Sequence, residues 1–202
     1  MVIVITGPIG IGKTTVCRKF IEIARRWGCT CGGIVSCKAP DKSIIIEDIQ
    51  TGHKETLAST ASIYRGPCTP MYFFNPDGID FGIQAIDKGY YCNILIIDEI
   101  GQLELGGRGF VNAIEVIRGK KGKDIILVIR KEFLSAFLPL LGTKPLIFET
   151  TIEKRNELPS EIDTIISRNL GAKCRDSSRP LGYTDKQYLS SSQPHQPYIS
   201  RP

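Results

Sequence analysis

Residues 2–28 read VIVITGPIGIGKTTVCRKFIEIARRWG, and the stretch from Gly7 to Thr14 within them matches the phosphate-binding loop pattern G-x-x-x-x-G-K-[ST]. A β-branched run, Val2 to Thr6, precedes this loop and is typical of a buried strand. After the loop, apolar residues recur at three- and four-residue spacing, which predicts an amphipathic helix. The predicted buried face consists of Val16, Phe20, Ile23, Ala24 and Trp27. Strand, glycine-rich turn and helix form the context that distinguishes a working loop from a chance match.

The residue types in this loop each have a physical role in holding phosphate. Gly7 and Gly12 let the backbone turn tightly, so that successive N–H groups point inward. The N-terminus of the following helix adds the positive end of its dipole. Lys13 is predicted to reach the β- and γ-phosphates, and the Thr14 hydroxyl is predicted to ligate Mg²⁺.

The composition is that of a folded protein with a single α/β domain. The chain has 202 residues, enough for one such domain and too few for two ordinary ones. Hydrophobic residues make up 42% and charged residues 23%, as in globular proteins. The net charge of +5 is modest, and neither dense basic blocks nor interleaved aromatic residues predict nucleic-acid binding. We therefore expect a monomer that binds nucleotides rather than nucleic acid.

The cysteines and the apolar runs bear on location. The seven cysteines are scattered, and Cys29-Thr-Cys31 followed by Cys37 has the wrong spacing for a structural zinc site. Packed, reduced thiols are therefore expected, as in a reducing cytosol. The first apolar run is too short for a signal peptide, and no run approaches the ~20 residues of a membrane span. These features predict a cytoplasmic protein with no membrane segment.

Strands and helices are predicted to alternate along the rest of the chain. The predicted strands are Gly33 to Cys37, Ser43 to Asp48, Asn93 to Glu99, Asp124 to Ile129 and Leu146 to Thr150. The predicted helices are Phe81 to Lys88, Gly109 to Arg118, Lys131 to Leu141 and Pro159 to Leu170. This alternation indicates an α/β fold with a mainly parallel central sheet and helices on both faces. A turn signal, Pro40-Asp41-Lys42, predicts an antiparallel hairpin at one side of that sheet.

Two segments lack this regular pattern. The stretch from Leu57 to Asp80 is rich in glycine and proline and is predicted to be mostly loop. From Gly171 onward periodicity stops, and the polar, proline-rich end of the chain is typical of disorder. We therefore predict one domain over residues 1–170, followed by a disordered tail over residues 171–202.

Asp98 and Glu99 close a nearly uninterrupted apolar strand, which is the position of a Walker B motif. The carboxyl ends of parallel strands face the crevice where ligands bind. Asp98 is therefore predicted to hold Mg²⁺, directly or through water. Glu99 is the next residue along the strand, so its side chain points in a different direction from that of Asp98. It is predicted to orient or deprotonate the attacking water. An isolated Asp-Glu pair is commonly a solvated strand end, but the phosphate loop makes the functional interpretation the stronger one.

The stretch from Asp98 to Leu105, DEIGQLEL, resembles the D-E-I-G-x-M-E-L signature of the cancer-related nucleoside-triphosphatase family. Five other segments resemble the same family in the same order: GPIGIGKTT, CGGIVS, IEDIQTG with ETLAS, FVNAI and TTIEKRNELP. The resemblance implies a P-loop NTPase fold. It also implies hydrolysis of ATP, GTP, CTP and UTP to the diphosphate and phosphate, with little discrimination between bases.

The loop pattern and the resemblance together give the expected site. Lys13 and Glu99 are predicted to be catalytic, and Thr14 and Asp98 to bind Mg²⁺. The residues predicted to contact the nucleotide are Gly7, Pro8, Ile9, Gly10, Ile11, Gly12, Lys13, Thr14, Thr15, Asp98, Glu99, Ile100, Gly101, Gln102, Leu103, Glu104 and Leu105.

The chain departs from the family pattern at three points, one of which is the loop over residues 64–67, from which no site residue is carried over. Leu103 stands in place of methionine, a volume-conserving exchange. Lys38 lies where the family carries an arginine-bearing segment, and this exchange is not conservative at a bidentate phosphate contact. Arg130 and Arg155 end later strands, where each is either a surface arginine or a cation on the γ-phosphate. Such a cation is worth about 10³–10⁵ in rate, and without one we expect turnover on the order of 10⁻² s⁻¹ or less.

Two other functions share the same loop. A small-molecule or nucleotide kinase needs an acceptor pocket and usually an arginine-rich lid, and the sequence has no arginine cluster of that kind. A nucleotide-switched adaptor, in which slow hydrolysis times a conformational change, relies on the same chemistry and is compatible with triphosphatase activity.

Overall fold

The computed structural model describes residues 1–119 and 123–170, with only the backbone at Glu99 and Leu170. The strands in this part of the chain are β1 (Val2–Gly7), β2 (Cys31–Lys38), β3 (Ile44–Asp48), β4 (Lys54–Ser59), β5 (Phe73–Phe74), β6 (Ile94–Ile100), β7 (Asp124–Arg130) and β8 (Leu146–Glu149). They form one sheet in the order β5-β4-β3-β2-β6-β7-β1-β8.

The sheet is parallel over most of its width and antiparallel at one side. β2, β6, β7, β1 and β8 pair in parallel, and β3, β4 and β5 extend the sheet from β2 in antiparallel fashion. The predicted mainly parallel sheet and its antiparallel hairpin are therefore confirmed. The hairpin is β2 with β3, and the turn between them contains Lys42 at a φ of +69°.

Helices cover both faces of the sheet. They are α1 (Lys13–Arg26), α2 (Pro76–Gly89), α3 (Gln102–Leu105), α4 (Asn112–Gly119), α5 (Leu134–Phe137) and α6 (Leu158–Leu170). α1 and α6 bury their apolar sides on one face, and α2, α3, α4 and α5 on the other, which gives two separate apolar layers. Among residues 1–119 and 123–170, every helix is too short or too polar to cross a bilayer.

The buried face of α1 differs from the prediction at its end. Val16, Phe20 and Ala24 are buried as expected, but Trp27 is 57% exposed. Trp27 lies one residue beyond the helix. Burial raises the pKa of the Asp163 carboxyl of α6, and the indole of Trp27 is close enough to this carboxyl to act in the opposite direction. The indole N–H needs a polar partner, which explains why this residue stays at the surface.

The prediction for the stretch from Leu57 to Asp80 is wrong in part. The end of β4 and all of β5 lie in it, and α2 begins at Pro76 rather than near Phe81. The start of α2 carries a standard signal, because the Asn75 side chain accepts a hydrogen bond from the Asp77 N–H at 3.2 Å and Pro76 occupies the first helical position.

Two other predicted helices are shorter or less regular than expected. The helix predicted from Gly109 begins only at Asn112, and the helix predicted over Lys131 to Leu141 is broken. That segment consists of a 3₁₀ turn at Lys131–Phe133, then α5, then a second 3₁₀ turn at Leu138–Leu141, which contains Pro139. Proline lacks the N–H that a continuous helix requires, which explains the break. The predicted tail over residues 171–202 lies outside the described residues.

Candidate active site

The loop between β1 and α1 needs glycine at three positions. Gly7, Gly10 and Gly12 have φ angles of +146°, +78° and +108°. A Cβ on Gly7 would also lie 2.8 Å from the carbonyl oxygen of Thr150. Gly12 is the N-cap of α1, and within the described chain no side chain caps this helix start and no acidic residue lies in its first turn. The first amides of α1 and the positive end of its dipole therefore suit an anion.

Lys13 is folded back onto this loop. Its Nζ donates hydrogen bonds to the carbonyl oxygens of Gly7 at 2.8 Å and Pro8 at 2.7 Å. The side chain is half-buried. The ammonium group is thus already held beside the loop amides, which concentrates positive charge where a phosphate chain would bind.

The order of the strands brings the carboxyl ends of β1, β7 and β6 together. β7 lies between the other two strands, so that Arg130 is the register partner of Gly7, and Val128 is the partner of Asp98. Arg130, at the end of β7, is therefore placed between the loop and the end of β6.

A β-bulge interrupts β6 at its functional end. Asp98 pairs with Val128 and Ile100 with the next residue of β7, so that the register skips Glu99. Along β6, Leu95 and Ile97 belong to the apolar layer under α2, and without the bulge Ile100 would point to the opposite layer. The extra residue reverses the alternation and returns Ile100 to the layer of Leu95 and Ile97.

Asp98 is a buried carboxylate, with a side chain only 1% exposed. Its Oδ2 accepts hydrogen bonds from the Ser36 N–H at 3.2 Å and the Ser36 hydroxyl at 3.4 Å. Burial raises the pKa of the nearby Cys17 thiol, and the negative charge of Asp98 raises it further, while Arg18 acts in the opposite direction. Cys17 is therefore a neutral thiol behind the site, and the charge there belongs to Asp98.

These elements enclose the cleft, which has a volume of about 420 Å³. Its lining residues are Ile9, Gly10, Gly12, Lys13, Thr14, Thr15, Arg18, Ser36, Cys37, Lys38, Ile44, Asp98, Ile100, Val128 and Arg130. Four of these carry a positive charge, and Asp98 is the one described carboxylate among them. Such a balance favours a polyanionic ligand.

A family model described as NTPase matches residues 2–163. The chain belongs to this nucleoside-triphosphatase family. It is 32% identical over 178 residues to the nucleoside-triphosphatase THEP1 of Methanosarcina acetivorans, and this aligned region covers 84% of this chain and 98% of the relative. It is 30% identical over 156 residues to THEP1 of Thermococcus kodakarensis, which covers 73% of this chain and 86% of the relative.

Two solved structures share the fold of this nucleoside-triphosphatase. THEP1 from Aquifex aeolicus superposes with a TM-score of 0.68 at 23% identity, over 83% of this chain and 100% of the other. A human cancer-related nucleoside triphosphatase superposes with a TM-score of 0.64 at 21% identity, over 88% of this chain and 98% of the other. The family expected from the DEIGQLEL stretch and its fold are thereby confirmed.

The structure places the predicted site residues in four different parts of the molecule. The cleft receives Ile9, Gly10, Gly12, Lys13, Thr14, Thr15, Asp98 and Ile100, while Gly7, Pro8 and Ile11 belong to the loop backbone behind it. Gly101, Gln102, Leu103 and Glu104 line a second cavity instead, and Leu105 lies at the surface. The side chain of Glu99 lies outside the described part, so its catalytic role stays a prediction.

Glu104 has a structural task in this segment. Its two carboxylate oxygens accept hydrogen bonds from the Gly101 N–H at 2.8 Å and the Phe110 N–H at 2.9 Å. The side chain is buried and thereby fixes the turn that follows β6. The hydrogen bond to Gly101 also caps the short helix α3.

Arg130 ends β7 as predicted, but Arg155 does not end a strand and lies in the connection between β8 and α6. Arg130 lines the cleft together with Thr14 and Asp98. Arg155 lies beside the loop, with its Cδ 3.6 Å from the point that a Cβ of Gly12 would occupy.

Sequence reasoning missed Ser36 and Arg18, both of which line the cleft. Ser36 is close to the carboxyl end of β2, and that position was the available signal, because the carboxyl ends of parallel strands meet at one edge. Arg18 lies one helical turn beyond Thr14 on α1, which is the spacing that places two side chains on the same side of a helix.

The oxygen atoms in the cleft fit a magnesium ion. Thr14 offers a hydroxyl group and Asp98 a buried carboxylate, and Mg²⁺ prefers oxygen ligands of this kind alongside water and phosphate. Magnesium binding itself stays a prediction.

Proposed function

We propose that this chain hydrolyses nucleoside triphosphates to the diphosphate and inorganic phosphate, with Mg²⁺ as the cofactor. The observation that carries the proposal is the cleft, where the loop amides and Lys13 face Asp98 and Arg130 across a space of about 420 Å³. Membership of the nucleoside-triphosphatase family supports the same reaction. The relatives from M. acetivorans and T. kodakarensis bear that activity in their names.

In this proposal the phosphates of the nucleotide bind to the loop between β1 and α1. The amides at the start of α1 and the Lys13 ammonium would hold the β- and γ-phosphates. Thr14 and Asp98 would hold Mg²⁺, which when bound neutralises charge on the phosphate oxygens. Ser36 keeps the Asp98 carboxylate in place through its two hydrogen bonds.

Hydrolysis proceeds in this proposal by in-line attack of water on the γ-phosphorus. Glu99 accepts the proton of the water, the bond from the γ-phosphorus to the bridging oxygen breaks, and the diphosphate leaves with the electron pair. Lys13 and Arg130 stabilise the charge that develops on the phosphate oxygens. We assign this role to Arg130 rather than to Arg155, because Arg130 shares the cleft with Asp98 and Thr14.

The proposal includes broad base tolerance and slow turnover. The sequence has no N-K-x-D guanine signature, so ATP, GTP, CTP and UTP are all proposed substrates. The cleft is formed by one chain alone, which supports a monomer as the active unit. A cytoplasmic location is part of the proposal and is supported by the thiols of Cys17, Cys37 and Cys68, none of which is in a disulfide.

Phosphate release from ATP, GTP, CTP and UTP, with Mg²⁺ or with EDTA, tests the reaction. We expect rates within about tenfold of each other for the four nucleotides and no release with EDTA. Lys13→Ala should abolish both binding and hydrolysis, while the exposed control Lys88→Ala should change neither. A single preferred base would contradict the broad specificity.

Two further variants test the assignment of the base and of the cation. Glu99→Gln should stop hydrolysis but retain nucleotide binding, and its exposed control Glu132→Gln should hydrolyse at the parental rate. Arg130→Ala should lower kcat by about 10²-fold or more, whereas Arg155→Ala should leave kcat within a few-fold. Parental hydrolysis by Glu99→Gln would exclude that residue as the base.

A further inference from the structure

A second cavity lies beside the cleft. Its volume is about 220 Å³, and its walls come from β3, β4, β5, α2 and the segment after β6. The walls are mainly apolar and include Leu57, Tyr72, Phe74, Ile79, Leu103 and Phe110. All six of these side chains are buried, and Met71, which is 67% exposed, lies at the rim.

The position of this second cavity connects it to the proposed chemistry. Ile44 and Arg130 line both the second cavity and the cleft. The residues from Gly101 to Glu104, which line the second cavity, follow directly after Asp98, Glu99 and Ile100 at the end of β6. A molecule in the second cavity would therefore touch Arg130, which also lines the cleft, and the segment that directly follows the cleft residues Asp98 and Ile100.

Size and charge define the class of molecule that fits. An apolar protein cavity of about 150 Å³ binds benzene, so a cavity of about 220 Å³ suits a compact bicyclic ring such as indole. Both carboxylate oxygens of Glu104 already accept hydrogen bonds from backbone N–H groups, and the other walls are mainly apolar, so an uncharged molecule is favoured over an ion. The flexible thioether of Met71 at the rim suits a flat aromatic surface.

We propose that the second cavity binds a compact, uncharged aromatic molecule, and that its occupancy changes the rate of nucleoside-triphosphate hydrolysis. The change is transmitted through the Gly101–Glu104 segment and Arg130. The effect on rate rests on the proposed function, whereas the binding does not, so the two are tested separately.

Binding is tested with indole on the full chain in the absence of nucleotide, by saturation-transfer NMR and titration. Ile79→Phe fills the second cavity and should weaken indole binding at least tenfold. Met71→Trp, at the exposed rim, should weaken it several-fold without affecting folding. Ile166→Phe enlarges an equally buried isoleucine in the other apolar layer and should leave indole binding unchanged. Equal binding by the parent, Ile79→Phe and Met71→Trp, or no binding at millimolar indole, would overturn the proposal.

Saturating Mg-ADP separates this site from the nucleotide site. We expect indole and Mg-ADP to bind together, whereas competitive displacement would show that the second cavity is part of the nucleotide site and would overturn the proposal.

In the rate assay, saturating indole should change phosphate release from ATP at least twofold in the parent and not in Ile79→Phe. An unchanged parental rate would overturn the regulatory role. Phosphorylation of 5-hydroxyindole by ATP would do the same, because it would identify an acceptor site. If the parent released no phosphate from any nucleotide, the proposed function would fail while the binding result still stood.

Discussion

Single residues determine how the loop can hold an anion, and Gly7 has the most constrained backbone among the loop glycines. Its φ of +146° is a conformation that other L-residues rarely adopt, and a Cβ would lie 2.8 Å from the Thr150 carbonyl oxygen. The pattern G-x-x-x-x-G-K-[ST] predicted this glycine directly. It did not predict the contact with Thr150, since that residue reaches the loop only through the pairing of β8 with β1.

Gly7→Ala should therefore impair both folding and binding. We expect the free energy of unfolding to fall by about 1–3 kcal/mol, because the backbone is forced into a strained region against a rigid neighbour. Nucleotide affinity should fall at least tenfold. Gly52→Ala is the matched control, because Gly52 has a φ of +74° and, among residues 1–119 and 123–170, no atom lies within 4 Å of the added Cβ. Urea unfolding and calorimetric titration with Mg-ADP measure the two effects, and parental affinity in Gly7→Ala would contradict the loop geometry.

The cysteines give a second test at single positions. Cys37 is exposed and lines the cleft, whereas Cys17 is buried, and its burial raises the pKa of the thiol. N-ethylmaleimide should therefore modify Cys37 and spare Cys17 in the native protein. Mg-ADP should slow the modification of Cys37 several-fold and leave that of the exposed Cys68 unchanged. Peptide mass spectrometry at timed intervals measures this, and equal protection of Cys37 and Cys68 would argue against a nucleotide in the cleft.

Helices and strands were predictable to the extent that their signals are local. Short apolar, β-branched runs predicted β1, β2, β6 and β7 close to their observed bounds. β5 was missed because two residues carry no period, and its existence depends on pairing with β4. The bulge in β6 could not be predicted either, because it is defined only by the register of β6 against β7. The sequence therefore predicted which residues end the strands but not which strand ends lie side by side.

The packing of α2 on β2 depends on a close approach of backbones, and it leads to a stability prediction. A Cβ on Gly89 would lie 2.4 Å from the backbone nitrogen of Gly33 and 2.7 Å from the carbonyl carbon of Gly32. Gly89→Ala should therefore push the end of α2 off the sheet and lower the free energy of unfolding by about 1–3 kcal/mol.

Gly119 provides the control for this prediction. It ends α4, and within the described part of the chain a Cβ there would meet no atom within 4 Å. Gly119→Ala should leave the free energy of unfolding unchanged or raise it by up to about 1 kcal/mol, because alanine has less backbone freedom to lose on folding. Urea denaturation of both variants measures the difference. Equal stability of the two variants would mean that α2 does not depend on this contact.

The described domain as a whole consists of one sheet with an apolar layer on each face. The cleft lies at the edge of the sheet where the parallel strands have their carboxyl ends. Its residues come from α1 on one face and from β2, β6 and β7 in the sheet. The alternation of predicted strands and helices was enough to predict this α/β architecture and the edge that carries the site. The second cavity could not be predicted, because Leu57, Ile79 and Phe110 are far apart in sequence and meet only in the folded chain.

Because the cleft draws on several strands and α1, a ligand bound there should stabilise the whole described domain against unfolding. At a ligand concentration of about 100 times Kd, the stabilisation is about 2.7 kcal/mol. For a domain of this size that amounts to a rise in Tm of about 5–11 °C. We expect Mg-ADP to produce such a rise in the parent, and ADP with EDTA to produce a much smaller one, because the ion held by Thr14 and Asp98 would be missing.

Two variants separate the role of the ion from that of the loop in this thermal measurement. Asp98→Asn keeps the size of the side chain but removes its charge, so its Tm should rise by the same small amount with Mg-ADP as with ADP and EDTA. Lys13→Ala should show no rise under either condition, since phosphate binding itself is lost. Circular dichroism at a fixed protein concentration records all of these transitions. If the parental Tm rose equally with and without Mg²⁺, Asp98 would not bind the ion, and its hydrogen bonds to Ser36 would point to a structural role for the buried carboxylate.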